Sequence, residues 1–210
     1  MDGVTLADRL SRGMGAAARV FGVPHDAFRP QGASNPLRAE LRFLRLPAAF
    51  DGGDPGYRRA RGYERAMRGT FDAAYLRVGD LLRGPSGVFF VALLPALNRP
   101  LCVLTNAVLR VERPGGAGAA GLNGYGGVMV EQLTPVLSGW PGQLLPTGGG
   151  RAGPLPGDGV LEGFALLLPL GAPAMRTGDL ISDAEERRFV AGGVELSELG
   201  WRVSLRQLGV

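Results

Sequence analysis

The amino-acid sequence predicts a mainly β protein with short α-helices (α+β). Two pseudo-repeated antiparallel β units of sandwich or barrel type are expected beside an N-terminal helix and extended arms. Short apolar runs of strand length alternate with turn-forming residues, 35 glycines and 16 prolines favour turns over long helices, and one motif occurs twice. With 210 residues, of which 45% are hydrophobic, the chain is long enough to bury a core.

Four regions follow from the distribution of these signals along the chain. We assign residues 1–76 to an N-terminal helical and extended region and 77–112 to a first β unit. Residues 113–160 form a Gly/Pro-rich loop or arm, and 161–210 form a second β unit. The two β units could together make one compact domain.

An amphipathic helix is predicted over residues 5–22. Apolar residues recur there at helical spacing on one face: Leu6, Leu10, Met14, Ala17 and Phe21. Gly22 and Pro24 supply the stop signal. Because an isolated helix of this length is marginal in water, we expect it to dock on the body of the protein or on a neighbouring subunit.

A second helix is predicted over residues 58–75, after a short strand at 41–46 and a loop at 51–56. Its apolar face would carry Tyr63, Met67, Phe71 and Ala74. On and around its other face lies an arginine cluster: Arg58, Arg59, Arg61, Arg65 and Arg68. Since all 23 basic residues of the chain are arginine, this cluster fits a solvated helix face, and it also fits contact with an acidic partner subunit or a phosphate backbone.

The remaining apolar runs predict strands. They lie at residues 78–83, 88–94, 101–112, 161–168, 178–182, 187–191 and 199–208. A two-stranded hairpin is unstable alone, so each β unit needs strands beyond its first hairpin. We expect 101–112 to complete the first unit and 199–208 to complete the second.

One motif, Arg-x-Gly-Asp-Leu followed by Phe-Val-Ala, occurs twice. The first copy runs over residues 77–92 and the second over 176–191, an offset of 99 residues. We interpret each copy as a β-hairpin whose glycine adopts an unusual backbone conformation and whose aspartate accepts backbone N–H bonds where the first strand starts. The residues of this structural repeat are Arg77, Gly79, Asp80, Phe90, Arg176, Gly178, Asp179 and Phe189.

The sequence predicts a protein that is not an enzyme and uses no metal or cofactor. His25 is the one histidine and Cys102 the one cysteine, so a zinc site of the usual nitrogen and sulfur ligands cannot be assembled. A Walker A loop requires a lysine, which the chain lacks. Asp80 and Asp179 could be taken for a catalytic carboxylate pair. Their equivalent positions in the repeat favour one structural role at each strand start.

Charge and hydropathy bear on the partners of the chain. A net charge of +4 permits contact with nucleic acid without demanding it. The alternative function is therefore an Arg-rich nucleic-acid-binding module that contacts the phosphate backbone. The longest apolar runs are too short to cross a bilayer, and the first residues lack the features of a signal peptide. We expect no membrane segment and synthesis in the cytoplasm.

Three segments carry a resemblance to a known family. They are Phe28-Arg29-Pro30-x-Gly32 after the N-terminal helix, Gly79-Asp80-Leu81 with its aliphatic returning strand, and the C-terminal stretch 176–202. Their order resembles small virion structural proteins of tailed bacteriophages and prophages. It is similar to head–tail joining and tail-adaptor proteins.

The resemblance implies a non-enzymatic virion component that is assembled in the host cytoplasm as a homo-oligomeric ring or another multi-copy structure. Its partners would be other virion proteins, namely portal, adaptor, tail or fibre subunits, and non-specific DNA contact is allowed. Simple head-closure proteins present one barrel, whereas the repeat predicts two units. A head–tail connector or tail-tube adaptor, a tail collar or fibre-anchoring protein and a nozzle component are therefore equally consistent roles.

Overall fold

The fold is mainly β, as the sequence predicts. The computed structural model describes residues 3–52, 66–115, 133–147 and 163–208. Within these ranges one α-helix precedes twelve strands, which close into two six-stranded antiparallel barrels. In the same ranges, no helix has both the length and the apolar character needed to cross a membrane.

The helix and the first barrel come first in the chain. The helix, α1, spans Gly3–Phe21. The strands of the first barrel are β1 (Val23–Phe28), β2 (Arg42–Gly52), β3 (Ala66–Thr70), β4 (Leu81–Gly84), β5 (Gly87–Leu93) and β6 (Leu101–Leu104). A short 3-10 helix, Ala39–Leu41, leads into β2.

The second barrel repeats the topology of the first. Its strands are β7 (Ala107–Pro114), β8 (Leu133–Pro146), β9 (Gly163–Leu168), β10 (Leu180–Asp183), β11 (Arg188–Ser197) and β12 (Gly200–Gln207). Around the first barrel the neighbours follow the order β1-β2-β3-β6-β5-β4, and around the second they follow β7-β8-β9-β12-β11-β10. Each strand of the first barrel thus has its counterpart six strands later in the chain. The duplication therefore extends over a whole barrel and not only over one hairpin.

The barrels place their boundaries differently from the four predicted regions. Strands β1, β2 and β3 lie within residues 1–76, so that region supplies half of the first barrel. The predicted strand 101–112 is two strands, because β6 closes the first barrel and β7 belongs to the second. Asn106 lies between them, and its side chain both donates to the Leu144 carbonyl and accepts from the Leu144 N–H. These two bonds fix the crossing from one barrel to the other.

The second predicted helix is wrong for the residues that the structure describes. Residues 58–65 lie outside the described ranges, and residues 66–70 form β3. This strand pairs with β2 on one side and with β6 on the other. Gly69 and Thr70 are poor helix formers, and strand pairing on both sides overrides the helical spacing of the apolar residues before them.

The longest strand, β8, falls within residues predicted to be a loop or arm. Three prolines and two glycines between Leu133 and Pro146 favoured that prediction. The pairing of this strand with β7 has two irregularities, which skip Val136 and Gly139. Gly139 has a φ of +72°. Bulges of this kind admit residues that would interrupt a regular ladder.

The N-terminal helix is present as predicted, but it contacts the barrel through a face of small residues. Gly15 and Ala18 are buried, and Gly22 directly after the helix lies so close to β2 that a side chain there would collide with backbone atoms. Leu6 and Phe21, which belong to the predicted docking face, are 44% and 60% exposed. The apolar face of α1 therefore lies beside its contact with the barrel and stays partly uncovered.

Among the described residues, three buried clusters form the core. The interior of the first barrel contains Phe71, Phe89 and Val91, and the interior of the second contains Phe189 and Val203. The third cluster lies on the outer face of the first barrel and joins the barrels. It is formed by Phe28, Leu81, Phe90, Leu101 and Val103 of the first barrel with Leu167 and Leu199 of the second.

Hydrogen bonds reinforce this junction between the barrels. The Trp140 side chain donates to the Ala33 carbonyl at 3.0 Å, and Gln143 donates to the Leu104 carbonyl at 3.1 Å. Trp140 is fully buried. The two barrels are therefore held together by apolar packing and by directional contacts in addition to the short link at Asn106.

Candidate functional site

One tight turn occurs at the same place in both barrels, directly before β4 and β10. In the first barrel it comprises residues 77–80, and the Asp80 N–H donates to the Arg77 carbonyl at 3.1 Å. Gly79 has a φ of +93°, which suits glycine at the third position of a type II turn. The Asp80 carboxylate accepts the Arg77 N–H at 2.8 Å. This second bond holds the turn at the start of β4.

Asp80 is buried, with 2% of its surface exposed, and Arg29 neutralises its charge. Arg29 directly follows β1, and its Nε and Nη2 donate to the two carboxylate oxygens at 3.0 and 2.8 Å. Nη2 also donates to the Tyr75 carbonyl at 2.9 Å. The hydrogen bond to Asp80 raises the pKa of Arg29. Bidentate pairing of this kind is both directional and strong.

The second barrel contains the same arrangement. Arg113 of β7 donates to Asp179 at 2.7 and 2.9 Å and to the Ala174 carbonyl at 3.1 Å. Asp179 is 1% exposed and accepts the Arg176 N–H at 2.7 Å. Its hydrogen bond raises the pKa of Arg113, and Gly178 has a φ of +89°. We call the Arg29–Asp80 and Arg113–Asp179 pairs the Arg–Asp clamps.

The hydrogen bonds of the clamps serve a structural role. Both oxygens of Asp80 and of Asp179 already accept hydrogen bonds, and each carboxylate faces a guanidinium that stays charged. A general base needs an oxygen directed at a substrate proton. The clamps instead join the end of one strand to the start of its hydrogen-bonded neighbour in the same barrel, β1 to β4 and β7 to β10.

The Phe-Val-Ala triplets of the repeat are displaced by one residue in the structure. Leu82 pairs with Phe89 in the first hairpin, and Ile181 pairs with Phe189 in the second. Phe189 is therefore the counterpart of Phe89 and not of Phe90. Ile181 and Phe189 are eight positions apart in the chain, whereas Leu82 and Phe89 are seven apart, so the second hairpin has one residue more between these equivalent pairs, which shifts the returning strand. Phe90 accordingly packs between the barrels, whereas Phe189 packs inside one.

Most of the predicted arginine cluster falls outside the described residues: Arg58, Arg59, Arg61 and Arg65. Arg68 is described and lies on β3, where its Nη1 donates to the Arg99 carbonyl at 2.9 Å. Arg68 thus contacts the loop that leads into β6 of its own barrel.

The sequence repeat did not reveal the two arginines of the clamps. Arg113 follows Arg29 by 84 residues, whereas the offset between the two aspartates is 99. The connections between the strands differ in length, so a search at one fixed offset misses the arginines. The available signal was the dipeptide Arg-Pro at 29–30 and 113–114, but the same dipeptide also occurs at 99–100, outside the clamps.

An apolar groove lies between α1 and the loop that joins β5 to β6. The apolar residues of its lining are Leu10, Met14, Ala73, Ala74, Leu94, Pro95, Ala96 and Pro100, and the polar ones are Ser11 and Asn98. Leu6, one turn before Leu10, is 44% exposed, and Leu97 within the loop is 60% exposed. We call these residues the helix groove. Contiguous apolar side chains at a surface are typical of an interaction site.

His25 and Cys102 are buried in the first barrel. The His25 ring lies edge-on to Phe50 at 5.2 Å, and its Nδ1 bonds to the Val23 carbonyl at 2.8 Å. Cys102 is fully buried, and burial raises the pKa of its thiol. Among the residues that the structure describes, no group of three or more His, Cys, Asp or Glu is placed to hold a metal ion.

Comparisons with known proteins do not assign the chain to a family. No protein-family model, curated protein or solved structure matches it. Its function is therefore inferred from its own residues and their geometry.

Proposed function

We propose that the protein is a non-enzymatic structural component of a tailed-phage virion that acts by assembling in multiple copies. The helix groove is the observation that carries this proposal. Leu10 and Met14 line the groove from α1, and residues 94–96 line it from the loop between β5 and β6. Leu6 and Leu97 belong to the same two elements and are exposed beside it. Covering such a surface with a neighbouring subunit is favourable by about 25 cal/mol for each Å² of apolar area removed from water.

The body of the protein suits a repeated subunit. Two barrels of one topology are joined by a buried cluster, and each barrel is braced by its own Arg–Asp clamp. A body braced in this way presents its surfaces in a constant relative orientation, which closed symmetric assemblies require.

The candidate positions in the particle come from the resemblance of the sequence to head–tail joining and tail-adaptor proteins. The proposed roles are a head–tail connector or adaptor, a tail collar protein and a fibre-anchoring protein. Portal, adaptor, tail or fibre subunits would then be the partners, in a virion assembled in the host cytoplasm.

Sedimentation of the purified full-length chain tests assembly through the helix groove. We expect the wild type to form a discrete species of several 22.0 kDa chains. Replacing the exposed leucines, Leu6→Ser with Leu97→Ser, should return it to a monomer. The matched control is Val108→Ser with Leu170→Ser, two residues of similar exposure outside the groove, 51% and 46%. A monomeric wild type, or equal loss of assembly in both variants, would contradict the role of the groove.

A second candidate function is a nucleic-acid-binding module that contacts the phosphate backbone. Its support among the described residues is a group of exposed arginines on the first barrel, which lies outside the predicted arginine cluster of residues 58–68.

A further inference from the structure

Three arginines surround one aspartate on the outer face of the first barrel. Asp26 of β1 pairs across the sheet with Arg45 of β2 on one side and with Arg83 of β4 on the other. Arg42, also on β2, reaches the same aspartate. Because neighbouring strands lie about 4.8 Å apart, Arg45 and Arg83 are held about 10 Å apart across β1. We call Asp26, Arg42, Arg45 and Arg83 the arginine patch.

The arginine patch has an excess of positive charge. Arg42 lies 3.4 Å and Arg45 3.9 Å from the same carboxylate oxygen of Asp26. Their side chains are 51% and 67% exposed, whereas that of Asp26 is 22% exposed. The guanidinium of Arg83 lies 4.8 Å from the centre of the Phe28 ring. One carboxylate thus serves two arginines while a third stacks on an aromatic ring, which leaves hydrogen-bond donors facing solvent.

Two exposed aromatic residues are linked to the patch through Arg42 and Arg29. Phe43 follows Arg42 directly and is 39% exposed, and the Arg29 guanidinium covers its ring at 4.4 Å. Arg29 also bonds to the Tyr75 carbonyl, and Tyr75 is 73% exposed. Aromatic rings next to guanidinium groups give bases a surface on which to stack, while the arginines contact the phosphates.

Folding of the barrel does not require these charges. The counterpart of Asp26 in the second barrel is Arg110, which pairs with Ser138 and Ser182 where Asp26 pairs with Arg45 and Arg83. The same sheet position in the same topology therefore tolerates two serines. The arginines distinguish the first barrel from the second, and their concentration needs an explanation other than the architecture that both share.

We propose that the arginine patch binds the phosphodiester backbone of a nucleic acid. Guanidinium groups match phosphate oxygens in geometry and charge, and the neighbouring Phe43 and Tyr75 favour this partner over an acidic protein surface. This site rests on the second candidate function and gives it a location, and it uses none of the residues of the helix groove. Binding and assembly can therefore fail separately.

Fluorescence anisotropy with a labelled oligonucleotide, as a single strand and as a duplex, tests the site in the full-length chain. Replacing Arg42, Arg45 and Arg83 with glutamine should weaken binding by about tenfold at low salt and reduce the slope of log affinity against log salt by about 2. The matched control replaces three exposed arginines of the second barrel, Arg110, Arg188 and Arg206, with glutamine. This control should bind like the wild type.

Further binding measurements distinguish single-stranded nucleic acid, duplex nucleic acid and an acidic protein as the partner. Tyr75→Ala should weaken the single strand more than the duplex if bases stack there, and equal effects would assign the site to duplex backbone. Tighter binding of polyglutamate than of either oligonucleotide would overturn the proposal in favour of an acidic protein partner. Equal loss in the patch and control variants, or no binding by the wild type, would also overturn it. Circular dichroism of each variant excludes unfolding as the cause.

Discussion

Leu199, in the turn between β11 and β12, packs in the same buried cluster as Phe28 of β1, although the two residues belong to different barrels. The turn reaches across the junction and covers the outer face of the first barrel. This contact makes the two copies of the fold unequal, since one presents the turn and the other receives it.

The outer faces of the two barrels differ in polarity, and the difference matches this contact. Phe28 pairs with Leu81, and at the corresponding pair in the second barrel Glu112 pairs with Leu180. On the other side of the same face, Arg206 of β12 stands where Val103 stands in β6. The face is apolar where the other barrel covers it and charged where nothing in the described chain does.

Leu199→Ala should therefore destabilise the protein through the junction. The truncation removes a buried side chain, 3% exposed, and should lower the free energy of unfolding by about 2–4 kcal/mol. Leu196→Ala, at a position 58% exposed in the same hairpin, should change it by about 0.5 kcal/mol or less. Urea denaturation followed by circular dichroism measures both. Equal effects would mean that Leu199 does not hold the barrels together.

Removing the carboxylate charge of either Arg–Asp clamp should lower the free energy of unfolding considerably. Asp80→Asn or Asp179→Asn leaves a partly buried guanidinium without its carboxylate, and each should cost about 2–4 kcal/mol of stability. Asp51→Asn is the control, because Asp51 pairs with Arg99 at the surface with its side chain 59% exposed, and it should cost about 1 kcal/mol or less. Similar midpoints of thermal unfolding for all three variants would show that the clamps do not stabilise the barrels.

Gly79 and Gly178, in the tight turns that precede β4 and β10, should differ in how much stability their replacement costs. A Cβ at Gly178 meets nothing within 4 Å, so Gly178→Ala should cost about 1 kcal/mol from its positive φ alone. At Gly79 the added Cβ would also lie 3.1 Å from the backbone nitrogen of Gly171, so Gly79→Ala should cost more. The reverse order in chemical denaturation would contradict the geometry of the two turns.

Cys102 should be unreactive in the folded protein. Its residue is fully buried, and burial raises the pKa of its thiol, so the reactive thiolate is scarce at neutral pH. We expect a thiol reagent such as DTNB to titrate no cysteine in the native chain and one after addition of denaturant. Rapid native labelling would show that the first barrel opens readily.

The fold class and the clamp turns could be predicted from sequence because their signals are local. Gly79 and Asp80 are adjacent, and the chemistry of a tight turn depends on a few neighbouring residues. The same is true of α1, whose helical period and stop signal lie within one segment. Even so, the period located the apolar face of α1 without showing that Gly15 and Ala18 would make the contact.

The parts that sequence analysis missed depend on distant pairing. β3 is a strand because β2 and β6 lie on either side of it. β8 is a strand in spite of its prolines because it pairs with β7 and β9, with bulges at Val136 and Gly139. Arg29 and Arg113 meet their aspartates only when the barrels close. The one-residue insertion before Phe189 was concealed because phenylalanine occurs twice in succession at Phe89 and Phe90.

The amount of this chain in purified phage particles tests the proposed structural function most directly. Quantitative mass spectrometry of particles produced by cells that encode the chain should find it at a fixed stoichiometry of several copies per particle. Cells in which its gene is deleted should release incomplete particles. Particles that are complete and infectious without the chain, or that never contain it, would contradict the proposal.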